Sequence, residues 1–79
     1  MADAKILVVD DDPAIKNLIF RFLTQHNYQM EAAEDGKSAM AAFESFNPDL
    51  VILDVNLPDE NGYSLCEKMQ KQTGVFVLM

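Results

Sequence analysis

Seventy-nine residues, 49% of them hydrophobic and with only three Gly and three Pro, exclude a disordered chain and leave room for one small domain. A domain of this size buries only about 60% of the surface its unfolded chain exposes, so its stability is narrow. Thirteen acidic against six basic residues give a formal charge of -7 with no basic cluster, which excludes binding to a phosphate backbone, and hence direct contact with nucleic acid, by this chain alone.

The chain shows no internal repeat and no linker, and residues 1–79 are expected to form one domain. A lone cysteine, Cys66, excludes an internal disulfide framework and fits a reducing compartment. The opening stretch, MADAKILVVDDD, has too short an apolar run for a signal peptide, and no stretch is long enough to span a membrane, so the expected location is the cytoplasm.

Ile6 to Val9 is a continuous apolar run that ends in Asp10, Asp11, Asp12 and Pro13, which reads as a buried strand running into carboxylates. Asp12 followed by Pro13 opens a helix, because Asp accepts free amides of the first turn and Pro suits the first helical position. Ile15, Leu18, Ile19, Phe22 and Leu23 then form one apolar stripe at helical spacing, and Asn27 stops the helix. Tyr28 to Ala33 alternates apolar and polar residues and is predicted to be an edge strand. Asp35 and Gly36 open a second helix carrying Ala39, Met40 and Phe43, which Asn47 and Pro48 end.

Leu50 to Leu53 is a second unbroken apolar run, predicted to be buried on both faces, and it runs straight into Asp54. Asn56, Pro58, Asp59, Glu60, Asn61 and Gly62 are turn formers that carry the chain over the sheet edge. A third helix is expected from near Asn61, with Leu65, Cys66 and Met69 on one face and Thr73 and Gly74 at its end, before a last strand, Val75 to Met79.

Strands alternating with helices through short connections imply a parallel α/β sheet. The acidic ends of the first and third strands can share one site only as neighbours, which requires the order 2-1-3-4 and puts a crevice between them at the topological switch point. There Asp10, Asp11 and Asp54 converge, with Asp12 behind them as a helix cap or a further site acid. Two such charges about 5 Å apart at an effective dielectric of about 20 repel by ~3 kcal/mol. Lys5 sits at the wrong end of its strand to offset this, so a divalent cation is expected, and all-oxygen ligands suit magnesium, manganese or calcium. A carboxylate beside magnesium is a competent nucleophile toward phosphorus, which would make Asp54 the site of an acyl phosphate.

The pairing of KILVVDDDP, Lys5 to Pro13, with DLVILDVNLPDENG, Asp49 to Gly62, resembles the receiver domain of two-component response regulators. The resemblance extends over the whole chain, including AEDG at Ala33 to Gly36. It implies a flavodoxin-like open sheet with helices on both faces, and Asp54 as phospho-acceptor for a sensor histidine kinase. It further implies Asp11 as the main magnesium ligand, Asp10 in support, and the Asn56 backbone carbonyl as the remaining protein ligand. Pro58 and Gly62 would shape the loop. On this resemblance the chain is at most the catalyst of its own phosphorylation and dephosphorylation, and its parent would be a transcription regulator.

Receiver domains of this kind continue past the fourth strand with a hydroxyl residue, a helix, a fifth strand ending in a lysine, and a last helix. The resemblance therefore reads the chain as truncated after its fourth strand, natural or engineered, with signalling output impaired. Right-handed crossovers put the first helix on one face and the other two on the opposite one. One face of strands three and four is then bare, and self-association is expected through strand four or that face, at Leu50, Val51, Ile52, Leu53, Val75, Phe76, Val77 and Leu78.

Two rival readings stand beside this one. A haloacid-dehalogenase-like phosphohydrolase also carries an Asp after an apolar strand and a metal partner two residues on, as Asp54 and Asn56 would be. It needs a later lysine and acidic motif, whereas the acids here come earlier. The other rival is a structural or dimerisation module with vestigial acids. His26 reads as a solvated helix end, Cys66 as a small core residue, Phe20 and Tyr63 as ordinary exposed aromatics, and Asp59 and Glu60 as loop charges.

Overall fold

The computed structural model describes residues 4–79; Met1 to Asp3, part of the stretch read for a leader, lie outside the described residues. The elements are β1 (Lys5–Val9), α1 (Pro13–Gln25), β2 (Gln29–Ala33), α2 (Gly36–Phe46), β3 (Leu50–Leu53), α3 (Gly62–Thr73) and β4 (Phe76–Leu78). The four strands pair in parallel and the sheet order is β2-β1-β3-β4, as the acidic strand ends require. The register sets Val9 opposite both Ala33 and Leu53, so the strands finish level.

Each helix begins and ends on a residue suited to the position. Asp12 caps α1 by accepting the Ala14 amide at 2.9 Å. The far end of α1 closes through Asn27 at φ 63, with the Asn27 amide donating to the Thr24 carbonyl at 3.1 Å and the Tyr28 amide to the Leu23 carbonyl at 3.2 Å. Asp35 caps α2 in a reciprocal box with Ser38, and Asn47 ends it at φ 54. Asn61 caps α3 through the Tyr63 amide at 2.7 Å, and Gly74 ends it at φ 66, a left-handed conformation that glycine adopts without steric cost.

The sheet has two unequal faces. On one, Leu7, Val9, Val51 and Leu53 meet Ala39 and Phe43 of α2 and Leu65 and Met69 of α3, all buried, and Cys66 packs at the margin. On the other, Ile6 and Val8 meet Leu23 of α1, with Ile19, Tyr28, Met30, Leu50 and Ile52 only partly buried. The helices thus lie one on one face and two on the other.

Three expectations are corrected by this asymmetry. The α1 stripe is not all core: Leu23 is buried, but Leu18 is 69% and Phe22 60% exposed, and Ile15 is exposed too. The physical reason is that α1 packs over β1 and β2, leaving part of its stripe without a partner among the described residues. For the same reason β3 is not buried on both faces, since Val51 and Leu53 are buried while Leu50 and Ile52 are half-buried. The bare surface is also narrower than expected, because Val51, Leu53 and Val75 lie in the two-helix core. Val77 packs against that core, and Phe76 and Leu78 stand out on the open side. The second strand begins at Gln29 rather than Tyr28, and Ala33 is its buried residue.

The Ser38 hydroxyl, and then its backbone amide, hold the Asp35 carboxyl below the usual carboxylate range. A lowered folded-state value means that the cap stabilises the fold at pH above the unfolded value and is lost as pH falls through the folded one. Asp35→Ala is therefore expected to be less stable than the parent at neutral pH, with the gap closing at the acid end of the carboxylate range. Urea denaturation at a series of pH values measures it.

Candidate functional site

The two central strands deliver their carboxylates through main-chain pairing that runs one step past the strands. The Asp54 amide donates to the Val9 carbonyl at 2.9 Å, and the Asp10 amide to the Ala33 carbonyl at 3.0 Å. Asp10 and Asp54 therefore leave the sheet at the same level from adjacent strands. Asp11 follows on the turn into α1. Carboxylate oxygens of Asp10, Asp11 and Asp54 all lie within 4.8 Å of one another, with Asp11 exposed and the other two half-buried.

Asp12 does not join them. Its oxygen is committed to the Ala14 amide, and its own amide donates to Asp10 Oδ1 at 2.9 Å, so the cap of α1 also steadies a site carboxylate. Of the two roles expected for Asp12, the structure assigns the cap. Asp54 Oδ1 in turn accepts the Asn56 amide at 3.1 Å. Asn56 thus lies directly beside Asp54, at the start of the loop that crosses to α3.

That loop is pinched at its neck. The Gly62 amide donates to the Val55 carbonyl at 2.8 Å, and Asn56 pairs with Asn61 in an antiparallel bridge. Gly62 is required by the closeness of the two strands of the loop: a Cβ there would stand 2.5 Å from the Asp54 carbonyl oxygen and 2.7 Å from the Val55 Cα, both backbone atoms that cannot swing away. Pro58 is at the turn, and Leu57 packs against the two-helix core.

Asp59 is more than the loop charge expected of it. Its two carboxylate oxygens accept the amides of Gly36 at 2.7 Å and Lys37 at 3.1 Å, the first two residues of α2. Glu60 likewise pairs with Lys68 of α3. Nothing in local spacing points to the Asp59 contact, which spans 23 positions; the only trace is that α2 opens with free amides that need acceptors.

Chemically, three carboxylates converge at the mouth of a parallel sheet, and among the described residues no lysine or arginine pairs with them. Hard oxygen donors with open solvent access suit a divalent cation that keeps part of its water, as magnesium does. A shallow groove of about 360 Å³ between α1 and β2 is lined by Pro13, Lys16, Asn17, Phe20 and Ala32 and includes none of this cluster.

The family model described as "Response regulator receiver domain" matches residues 6–79. The chain belongs to the response regulator receiver family. It is 36% identical over 75 residues to the probable transcriptional regulator ycf27 of Cyanophora paradoxa, covering 95% of this chain and 31% of that protein. The chain spans about a third of the length of the curated relatives it matches. A CheY-like receiver from Methanospirillum hungatei superposes with a TM-score of 0.91 at 33% identity, over 95% of this chain and 61% of that one. The response regulator TrrA of Thermotoga maritima, solved with magnesium and BeF, has a TM-score of 0.87 at 36% identity, over 94% of this chain and 65% of its own. It is also known in complex with the histidine kinase ThkA. The fold is thus the flavodoxin-like one of CheY-like receivers, and the phosphohydrolase alternative gives way to the receiver family. No helix among the described residues is long and apolar enough to cross a membrane.

Gly62→Ala forces backbone to move at the loop neck and is expected to cost about 1–3 kcal/mol of stability, as overpacking typically does. A lowered urea midpoint at unchanged slope is the expected result.

Proposed function

We propose that the protein is a phosphoryl-accepting signalling domain in which Asp54 takes the phosphoryl group of a sensor histidine kinase. The observation that carries this reading is the convergence of Asp10, Asp11 and Asp54 within 4.8 Å at the ends of β1 and β3. The TrrA structures, one with magnesium and BeF and one with a histidine kinase, lend support from a relative of the same fold. Asp11 is the main carboxylate ligand for magnesium, Asp10 and Asp54 contribute, and the Asn56 carbonyl completes the protein's share; manganese is the expected substitute. Pro58 and Gly62 keep the loop in the shape that presents Asn56.

In the transfer, an Asp54 carboxylate oxygen forms a bond to phosphorus as the phosphorus–nitrogen bond of the donor phosphohistidine breaks. The electron pair stays on the imidazole nitrogen, which takes a proton from water. A bound magnesium ion supplies charge neutralisation between the attacking carboxylate and the incoming phosphoryl oxygens. The Asn56 amide, already on Asp54 Oδ1, holds the carboxylate in orientation. Asp12 fixes Asp10 from behind through its own amide.

Incubation with magnesium and a small acyl-phosphate donor, followed by intact-mass measurement, tests the reading. The unmodified protein gains one phosphoryl group, while Asp54→Asn and a magnesium-free sample gain none; an equal gain in Asp54→Asn overturns the assignment.

A second reading, a self-associating module, is favoured by the exposed apolar side chains Leu18, Phe22, Phe76 and Leu78 and by the outer edge of β4, which pairs with no described strand. Sedimentation velocity at rising concentration is expected to show a growing dimer fraction that Phe76→Lys abolishes. A monomer at every concentration removes this reading.

A further inference from the structure

We propose that Asp59 is a positioning residue for the metal site: by binding the N-terminus of α2 it anchors the tip of the loop whose first residues hold Asp54. The inference rests on the phosphoryl-acceptor reading and extends it to a residue outside the acidic cluster. The physical chain is short. Asp59 accepts the Gly36 and Lys37 amides at 2.7 and 3.1 Å. Those are two of the four amides that the first turn of any helix leaves without an intrahelical partner, and a carboxylate there also meets the positive end of the helix dipole. The third-position amide, that of Ser38, is taken at 2.8 Å by Asp35 on the helix's own side. One helix end is therefore shared between a local cap and a carboxylate delivered from the far loop.

The contact is close enough to leave no slack. A Cβ at Gly36 would stand 2.6 Å from Glu60 Oε1, 3.0 Å from Glu60 Cβ and 3.2 Å from Asp59 Oδ1, so α2 and the loop tip meet over the one residue that has no side chain. From Asp59 it is three positions back to Asn56, whose amide is on Asp54 Oδ1. The neck bonds close the loop on itself, and the Asp59 bonds tie its tip to α2. Without Asp59 the loop keeps its neck, the Leu57 contact and the Glu60–Lys68 pair, but its tip loses its two hydrogen bonds to α2. The Asn56 amide and carbonyl then sample a wider range of positions at the metal. Groups that orient metal ligands from behind typically carry 10–100-fold in affinity.

The test separates positioning from stability by comparing two caps of the same helix. Calorimetric titration of magnesium into the purified protein is expected to give about tenfold weaker binding for Asp59→Ala and an intermediate value for Asp59→Asn, which keeps one acceptor oxygen. Asp35→Ala removes a cap from the same helix end without touching the loop, and it is expected to lower the urea midpoint while leaving magnesium affinity unchanged. Should Asp59→Ala fail to fold, the Asp59→Asn titration decides alone. Equal magnesium affinity in the parent and the Asp59 variants, or an equal loss in Asp35→Ala, overturns the proposal, as does a parent that binds no magnesium. A parent that binds magnesium yet gains no phosphoryl group overturns the acceptor reading, while the titrations still decide the role of Asp59.

Discussion

The constraint on which the rest depends is the parallel pairing of β1 with β3, carried one residue beyond the strands by the bond from the Asp54 amide to the Val9 carbonyl. A slip of one residue in that register would turn Asp54 to the other face of the sheet, because strand side chains alternate with a period of two. With the register held, Asp10 and Asp54 emerge side by side, and Asp11 closes the triangle from the turn. The register is held by burial. Leu7 and Val9 of β1 and Val51 and Leu53 of β3 fill the core under α2 and α3, so a one-residue slip would turn a whole strand's set out of it.

Around that pairing the fold spends its short loops on keeping carboxylates in place. Asp12 serves α1 with its side chain and Asp10 with its amide; Asn56 serves Asp54; Asp59 serves α2 from across the loop. Each contact satisfies a backbone amide that would otherwise lack a partner and, in the same bond, fixes an acidic side chain or the loop that carries one. Acidic groups that repel one another can stay close only when their positions are imposed by structure or their charge is met by a cation. The half-burial of Asp10 and Asp54 against the exposure of Asp11 leaves the cluster open to an ion from solvent.

The two faces of the sheet differ in how completely they are covered. The α2–α3 side is a closed core, whereas the α1 side covers β1 and β2 and leaves Leu50 and Ile52 half-buried and Phe76 and Leu78 in solvent. In a domain this small each large apolar side chain left wet forgoes about 1.5–3 kcal/mol, so the open side contributes less burial energy than the closed one. The acid cluster sits at the ends of β1 and β3 and is held by main-chain bonds to Val9 and Ala33 and by the turns that follow the two strands.

The sequence by itself determined the element order, the helix caps and the acidic strand ends. Those signals are local: apolar runs of strand length, Asp12–Pro13, Asp35–Gly36, Asn47, Asn61 and Gly74 each act within a few residues of where they stand. The sheet order was also legible, because the carboxylates after β1 and β3 make sense only on neighbouring strands. Which apolar residues are core was legible only in part. The stripe of α1 satisfies helical periodicity whether or not a partner lies over all of it, and Leu18 and Phe22 look the same in sequence as Leu23. Only the tertiary structure decided that Leu23 meets the sheet while the others face outward. It alone also decided that Asp12 stays outside the carboxylate triangle and that Asp59 binds the start of α2, since both depend on distances between segments that periodicity and spacing do not encode.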